Sequence, residues 1–172
     1  EKGVVQYSGL QGDRVFAFVD EAKKGDFPWL TARQFKQLIL YRPSWIRPDK
    51  LNVSYPNTNN FEVTVTTPAG LTYGINSAEL LEELEKVSER KLYLRFSESG
   101  MQDARPISLI SQQTLQHIQA QSDISMNSQQ FRMNFYVNWI NGNAFYEEKL
   151  IGKKIKIGER VVLEINKKDQ RC

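Results

Sequence analysis

Short alternating segments dominate the hydrophobic pattern of the chain, and they predict β-strands. The stretch "RVFAFVD" (14–20) is apolar on both faces, as in a strand that is buried on both sides. In "FEVTVTTPAGLTYGI" (61–75), apolar and polar residues alternate on either side of a Pro-Ala-Gly turn, which predicts a hairpin. "MNFYVNWI" (133–140) also alternates, and "KKIKIGERVVLEI" (153–165) predicts two strands joined around Gly158.

One longer segment, "NSAELLEELEKV" (76–87), has helical periodicity. Asn76 suits the N-cap position, and Glu79 follows three residues later, as in a capping box. The residues predicted to form its buried stripe are Leu80, Leu81, Leu84 and Val87.

A second helix is predicted for "SQQTLQHIQAQ" (111–121), with Ser111 as its cap and Leu115 and Ile118 facing inward. "SQQF" (128–131) predicts a short helical turn. Many short strands with two modest helices between them predict a mainly β fold with helical insertions, built as a barrel or a barrel-like sheet.

Composition and charge narrow the class of protein. The chain has 172 residues, of which 40% are hydrophobic and 25% charged, as is usual for a globular protein. No apolar run approaches the roughly 20 residues that span a bilayer, and no signal peptide is evident. The net charge is +3, and the densest basic stretch alternates with isoleucines, so its lysines are interpreted as one solvated face of a strand. We therefore expect neither a membrane span nor nucleic-acid binding.

Cysteine and histidine are almost absent, which excludes several kinds of site. The single cysteine, Cys172, excludes an internal disulfide and a thiolate zinc site, and it fits a reducing, cytoplasmic location. The single histidine, His117, falls on a predicted helix with no nucleophile-elbow glycines nearby, which argues against a Ser-His-Asp triad.

Two polar clusters in the first half of the chain could bind a ligand. In "GLQGDR" (9–14), two glycines permit a tight turn that would present Arg14, although a hairpin turn with a surface ion pair explains the pattern equally well. Thr31 and Arg33 are two residues apart and would face the same way on an extended chain. Arg33 could offer a bidentate fork to a phosphate or carboxylate, or it could be an ordinary surface arginine.

A third cluster, "FRMN" (131–134), would place Arg132 and Asn134 on the polar face of a strand entrance. An exposed strand face of no special function is the alternative. The three clusters share arginine, amide and hydroxyl groups, which suit an anionic ligand with many hydrogen-bonding groups.

In order along the chain, several stretches resemble the MOSC family, named for the C-terminal domain of molybdenum cofactor sulfurase. They are "GLQGDRVFAFVD", "WLTARQFKQLILYRP", "ARPISLISQQTLQHI", "FRMNFYV" and "EEKLIGKKIKIG", followed by the terminal "RC". The mitochondrial amidoxime-reducing component resembles the same pattern. The resemblance implies a MOSC-type β-barrel, with an N-terminal β-barrel-like part at residues 1–95 and a MOSC core at residues 96–172.

The resemblance also implies that the chain binds the molybdenum cofactor, a pterin with a dithiolene and a terminal phosphate. By the same resemblance Cys172 would ligate molybdenum, a soft-ligand role that the neighbouring cations Lys167, Lys168 and Arg171 would favour. Asp103 matches an acidic, catalytic position near the metal. The residues that would hold the cofactor are Arg14, Thr31, Arg33, Arg132 and Asn134.

The chain departs from the family pattern in three places. A Tyr-Pro-x-Lys-Ser-like opening strand is not evident in "EKGVVQYS", and Gln170 stands where a small hydroxyl residue often precedes the Arg-Cys pair. The family's continuation after the cysteine is also missing, so we expect either a MOSC core that is truncated or a degenerate member of the family that catalyses no reaction.

Three functions remain open from the sequence. One is oxidoreductase chemistry at molybdenum, with electrons from a donor protein. Another is a sulfur carrier or cofactor-delivery domain that receives sulfur from a donor and holds it as a persulfide on Cys172. The third is a non-catalytic binding module, so enzymatic activity is itself undecided. Nothing in the sequence supplies a Schiff-base lysine for pyridoxal phosphate.

Overall fold

A computed structural model describes residues 5–6, 9–46, 62–102 and 105–169 of the chain. By its internal contacts the chain divides into two compact units, Glu1–Ala104 and Arg105–Cys172. Each unit has its own helix and its own small sheets.

The first unit contains seven described strands and one α-helix. In chain order they are β1 (Val5–Gln6), β2 (Gly9–Leu10), β3 (Phe16–Asp20), β4 (Arg42–Trp45), β5 (Val63–Thr66), β6 (Thr72–Gly74), α1 (Ala78–Ser88) and β7 (Leu92–Phe96). A 3-10 helix covers Lys36–Leu40. All pairings are antiparallel: β1 with β2, β3 with β7, and β4 with β5 with β6.

The core of the first unit lies between α1 and the inner faces of these sheets. Alternation along β5 buries Val63 and Val65, and the helical period of α1 buries Leu80 and Leu84 against them. The hairpin predicted around the Pro-Ala-Gly turn is confirmed as β5 and β6.

Helix α1 begins one residue later than the sequence suggested. The N-cap is Ser77, whose side chain accepts a hydrogen bond from the Leu80 backbone N at 3.2 Å, so the prediction of Asn76 was wrong. Val87 was also wrongly placed in the buried stripe, since it is 41% exposed. The helix ends at Ser88, and the residue that caps it, Glu89, adopts the left-handed conformation.

The second unit is assembled around a parallel strand pair. Its elements are β8 (Leu109–Ser111), α2 (Gln112–Ala120), β9 (Phe135–Val137), β10 (Lys154–Ile157), β11 (Val161–Glu164) and two 3-10 helices, Ser128–Phe131 and Tyr146–Leu150. Strands β8 and β9 are parallel, with Ile110 opposite Tyr136. Ile110, Leu115 and Leu150 are buried.

Several local predictions for this unit are confirmed. Ser111 caps α2 by accepting a hydrogen bond from the Thr114 backbone N at 3.1 Å. The short helical turn at Ser128 is present. Strands β10 and β11 pair antiparallel around Gly158. Along β10, Lys154 and Lys156 are exposed, and Ile155 and Ile157, which alternate with them, are half-buried.

The observed class is mainly β with helical insertions, as predicted. The described strands form five separate small sheets, and no closed barrel is found among them. Within the described ranges, no helix has both the length and the apolar character needed to cross a membrane.

Candidate functional site

Arg14 is the last residue of the turn that follows β2, and it adopts the left-handed backbone conformation with φ of 56°. Its guanidinium donates to the Asp13 carboxylate through Nε at 3.0 Å and Nη2 at 2.8 Å. Its carbonyl oxygen accepts a hydrogen bond from the Met101 backbone N at 2.8 Å. The surface ion pair that the sequence allowed at this turn is therefore present, with the arginine still exposed.

Thr31 and Arg33 lie on a tight turn instead of an extended segment, so the inference that they share one strand face was wrong. The Thr31 carbonyl accepts hydrogen bonds from the backbone N of Gln34 and of Phe35, both at 3.0 Å. The backbone N and hydroxyl of Thr31 both donate to the Gln34 side-chain oxygen. The Thr31 hydroxyl therefore stabilises the turn through its hydrogen bond to Gln34.

Arg33, at the exposed corner of this turn, has no hydrogen-bond or ion-pair partner among the residues that the structure describes. Its guanidinium is available to an anion in solution. Cys172 and Asp103 lie outside the described residues.

Arg132 occupies the end of the 3-10 helix Ser128–Phe131 and adopts the left-handed conformation with φ of 51°. Its backbone N donates to the Gln129 carbonyl at 3.0 Å. The helix begins with a reciprocal capping box between Asn127 and Gln130. This closed loop fixes the backbone of Arg132, while its exposed guanidinium has no partner within the described part of the chain.

Asn134, two residues later, is bound to Ser108. Its side-chain Oδ1 accepts from the Ser108 backbone N at 2.9 Å and from the Ser108 hydroxyl at 3.0 Å, and its own backbone N lies 3.2 Å from that hydroxyl. Strand β9 begins only at Phe135, so Arg132 and Asn134 do not project from one strand face as predicted. The Oδ1 atom of Asn134 instead ties the entrance of β9 to the entrance of β8.

A carboxylate that sequence reasoning did not single out, Glu147, binds the C-terminal end of β8, opposite the end that Asn134 contacts. Its Oε1 accepts from the Ser111 backbone N at 3.0 Å and from the Ser111 hydroxyl at 3.2 Å. Its Oε2 accepts from the Trp139 indole N at 3.3 Å. Glu147 therefore joins the start of α2, the loop after β9 and the 3-10 helix Tyr146–Leu150.

The environment of Glu147 favours its ionised form. Burial raises the pKa of this carboxyl, but hydrogen bonds from Thr114 and Ser111 outweigh burial and hold the pKa below its ordinary value of 4.5. The position of Glu147 at the N-terminus of α2 also suits a negative charge. The predicted Ser111 cap identified one of the residues that bind Glu147. It did not point to Glu147 itself, because 36 residues separate the two in the sequence.

Neither unit contains a preformed metal cluster in the part that is described. No three carboxylate, imidazole or thiol side chains come together among those residues. A surface depression of about 390 Å³ lies beside α1, but it is lined by charged residues that include none of the predicted site residues.

Comparison with known proteins gives one match. Residues 97–172 match the family model described as the MOSC domain. No curated protein and no solved structure matches the chain significantly. The matched segment contains Arg132, Asn134, Ser111 and Glu147, and it extends to Cys172. Residues 97–172, which make up less than half of the chain, are therefore similar to the MOSC domain.

Proposed function

We propose that this chain binds the molybdenum cofactor and carries out oxidoreductase chemistry at a molybdenum atom ligated by Cys172. The observation that carries the proposal is the MOSC match, which includes both Cys172 and the exposed Arg132. The MOSC family is associated with molybdenum-cofactor binding. A guanidinium with no described partner suits the terminal phosphate of such a cofactor, because its donor fork can bind two phosphate oxygens at once.

The chemistry of the described donor groups fits this anionic ligand. Arg33 and Arg132 are exposed and without described partners. Arg14 is paired with Asp13 at the surface, and an exposed ion pair is weak enough to exchange for a phosphate. We propose that these three arginines hold the cofactor. Thr31 and Asn134 would contribute by keeping Arg33 and Arg132 in position, because Thr31 shapes the turn of Arg33 and Asn134 holds the segment that follows Arg132.

When bound, the cofactor would supply a metal that exchanges electrons. Cys172 would hold that metal through a soft thiolate, and Lys167, which is exposed and precedes it by five residues in the sequence, would favour the deprotonated sulfur. Asp103 is proposed as the acidic group beside the metal. The electrons would come from a donor protein in a reducing, cytoplasmic compartment.

The finer features of the architecture are also part of the proposal. We propose a MOSC-type β-barrel in which residues 1–95 form an N-terminal β-barrel-like part and residues 96–172 form the MOSC core. The observed unit boundary after Ala104 and the start of the family match at residue 97 lie near this division.

The deciding experiment measures molybdenum by elemental analysis and pterin by fluorescence after oxidation. The full chain would be expressed in a host that makes the cofactor. We expect near-equimolar metal and pterin, with molybdenum lost in Cys172→Ser. Arg132→Gln should lower cofactor retention about 10- to 100-fold, the value of a hydrogen bond to a charged group. Arg160→Gln is the matched control, because Arg160 is an exposed arginine of the same unit outside the proposed site.

The alternatives predict different results from the same samples. A sulfur carrier would lack stoichiometric metal but would release thiocyanate from a Cys172 persulfide on treatment with cyanide. A binding module without redox chemistry would show neither metal nor persulfide, with Cys172 titrating as an ordinary thiol. A folded, cofactor-supplied protein without metal or pterin would refute the oxidoreductase proposal.

A further inference from the structure

The sequence contains a single Asn-Gly pair, Asn141–Gly142, and it lies in the loop that follows β9. Asparagine is a chemically labile residue, because the backbone nitrogen of the next residue can attack its side-chain carbonyl carbon. A glycine in the next position favours this attack, since it has no Cβ in the way and few restrictions on its backbone angles. The sequence alone therefore makes this pair reactive, and the fold decides whether it reacts.

The structure leaves both reacting groups of the pair accessible. Asn141 is exposed at the turn that it forms with Ile140. Within the described part of the chain, neither the Asn141 side chain nor the Gly142 backbone N takes part in a hydrogen bond. No hydrogen bond between described residues therefore has to break before the nitrogen of Gly142 reaches the side-chain carbonyl of Asn141.

Two other asparagines in the described ranges precede a serine, another small residue, and the structure protects both of them. Asn76 is followed by Ser77, whose backbone N donates to a backbone carbonyl at 3.0 Å. The side-chain oxygen of Asn127 accepts a hydrogen bond from the Gln129 backbone N at 2.9 Å, within the capping box of a 3-10 helix. In each case one reacting group is held by a hydrogen bond that would have to break first.

We propose that Asn141 is a site of spontaneous deamidation, which converts it to aspartate and isoaspartate in the folded protein. The Gly142 nitrogen gives up its proton and forms a bond to the Asn141 Cγ. The bond from Cγ to Nδ2 breaks, and the amide nitrogen leaves as ammonia with that proton. This inference goes beyond the proposed cofactor chemistry and does not depend on it.

Water from the solvent completes the reaction by opening the cyclic imide at either of its carbonyls. Opening at one carbonyl restores the ordinary backbone and gives aspartate. Opening at the other leaves the main chain running through the side-chain carbon atoms, and this product is isoaspartate. Both products carry a carboxylate where Asn141 had an amide, so the chain gains one negative charge.

Isoaspartate would disturb the loop at a tightly packed point, because it adds one methylene to the backbone directly before Gly142. A Cβ on Gly142 would lie only 2.6 Å from the Trp139 Cβ and 3.0 Å from the Tyr146 Cγ, so the glycine has little room to move. The Trp139 indole donates a hydrogen bond to Glu147 at 3.3 Å. We expect the longer backbone to displace Trp139 and to loosen this bond.

Incubation of the purified full chain at neutral pH and physiological temperature, followed by peptide mapping with mass spectrometry, tests the proposal. Deamidation changes the mass of the peptide that carries it, and the aspartate and isoaspartate forms separate by chromatography. We expect Asn141 to convert at least about tenfold faster than Asn143 and the two Asn-Ser sites. Asn143 is the matched control, because it is exposed in the same loop but is followed by Ala144, whose Cβ hinders the attack.

The same measurement in urea separates the effect of the fold from that of the sequence. Unfolding should accelerate the reaction at Asn76 and Asn127, because the hydrogen bonds that protect them are lost, whereas Asn141 should react within about threefold of its folded rate. The proposal is overturned if the tenfold preference over Asn143 does not appear in the folded chain. It is also overturned if folding slows the reaction at Asn141 more than about threefold.

The predicted effect on the loop is tested on deamidated protein isolated by ion exchange. It should unfold at a lower urea concentration than wild type, whereas Asn141→Asp, which has the same charge on an ordinary backbone, should unfold like wild type. Asn141→Gln has a longer side chain that closes the ring far less readily, so the same incubation should change neither its mass at this site nor its stability. A deamidated fraction as stable as Asn141→Asp would contradict the loosening of the loop.

Discussion

Glu147→Gln should destabilise the MOSC-matched unit far more than the same change at its neighbour Glu148. Both are glutamates on the 3-10 helix Tyr146–Leu150, yet their surroundings differ. Glu147 accepts three hydrogen bonds from Ser111 and Trp139. Glu148 makes one surface ion pair, with Lys168, in which its side chain is 40% exposed.

The magnitude follows from the individual bonds. Glutamine keeps one carbonyl oxygen for the two Ser111 donors, but these bonds change from charge-assisted to neutral, a loss of about 1 kcal/mol each. Its amide group would face the Trp139 indole N–H, so two donors would meet and that bond, worth about 1 kcal/mol, would be lost. Because Glu147 is half-buried and water can compensate in part, we expect a net loss of about 2 kcal/mol in the free energy of unfolding. Glu148→Gln should cost at most about 1 kcal/mol.

The effect should depend on pH in a direction set by the lowered pKa of Glu147. Since the folded-state pKa lies below the ordinary value of 4.5, the unfolded chain binds a proton more readily than the folded chain in the interval between the two. Stability from this carboxylate is therefore fully present above about pH 4.5 and is lost as the pH falls through the folded-state pKa. The difference between wild type and Glu147→Gln should shrink in acid.

Urea unfolding followed by far-ultraviolet circular dichroism measures the stability differences between wild type and the two glutamine variants. To assign the differences to the second unit, the other two tryptophans are replaced by phenylalanine, and unfolding is followed by the fluorescence of Trp139. The reasoning is refuted if the two glutamine variants lose equal stability at neutral pH. It is also refuted if the deficit of Glu147→Gln grows in acid, because that sign would require a raised pKa in the folded state.

Three other changes test the packing around both units. Arg90→Met should cost about 3–5 kcal/mol in urea unfolding. Asp20, which is 1% exposed and bound to Arg90, would then be a buried carboxylate without its ion-pair partner. The control, Lys91→Met, breaks an exposed pair and should cost under about 1 kcal/mol. Gly142→Ala should cost about 1–3 kcal/mol by overpacking against Trp139, and Asn141→Ala at the exposed neighbouring position should leave the melting temperature nearly unchanged. Burial and the hydrogen bond to Glu83 raise the pKa of Tyr41 to about 12, so ultraviolet titration should show a late phenol signal that disappears in Tyr41→Phe. The stability that this pair provides should fall as the pH rises above about 10.

The elements that could be predicted from the sequence are those set by neighbouring residues. The β10–β11 hairpin around Gly158, the β5–β6 hairpin and the Ser111 cap follow from local alternation, turn chemistry and capping preferences. The cap of α1 was missed by one residue because Asn76 and Ser77 are both good capping residues. The choice between these two caps depends on how Leu80 and Leu84 fit into the core, which the local sequence does not show.

The predictions that pairs of candidate residues share one strand face were wrong, because the backbone there leaves regular structure. Two residues at spacing two share a face only on an extended chain, but Thr31 lies on a turn and Arg132 adopts a left-handed conformation. No alternation rule detects either geometry, because both arise from side-chain hydrogen bonds within four residues. Glu147 was missed for a different reason, since its partners lie far away in the sequence.

The β8–β9 pair indicates how Asn134 would serve the proposed cofactor site without touching the cofactor. Two parallel strands of three residues each form few backbone hydrogen bonds. This pair is also held by side-chain hydrogen bonds at both ends of its strands. Hydrogen bonds between Ser108 and Asn134 join the N-terminal ends of the two strands, and Glu147 binds Ser111 at the C-terminal end of β8, where α2 begins. A substitution at Asn134 would therefore release the segment that presents Arg132. If Arg132 binds the cofactor as proposed, retention of the cofactor should fall even without a direct contact from Asn134. In the proposed site, Arg132 would supply the positive charge, and Asn134 would fix the position of that charge through its hydrogen bonds to Ser108.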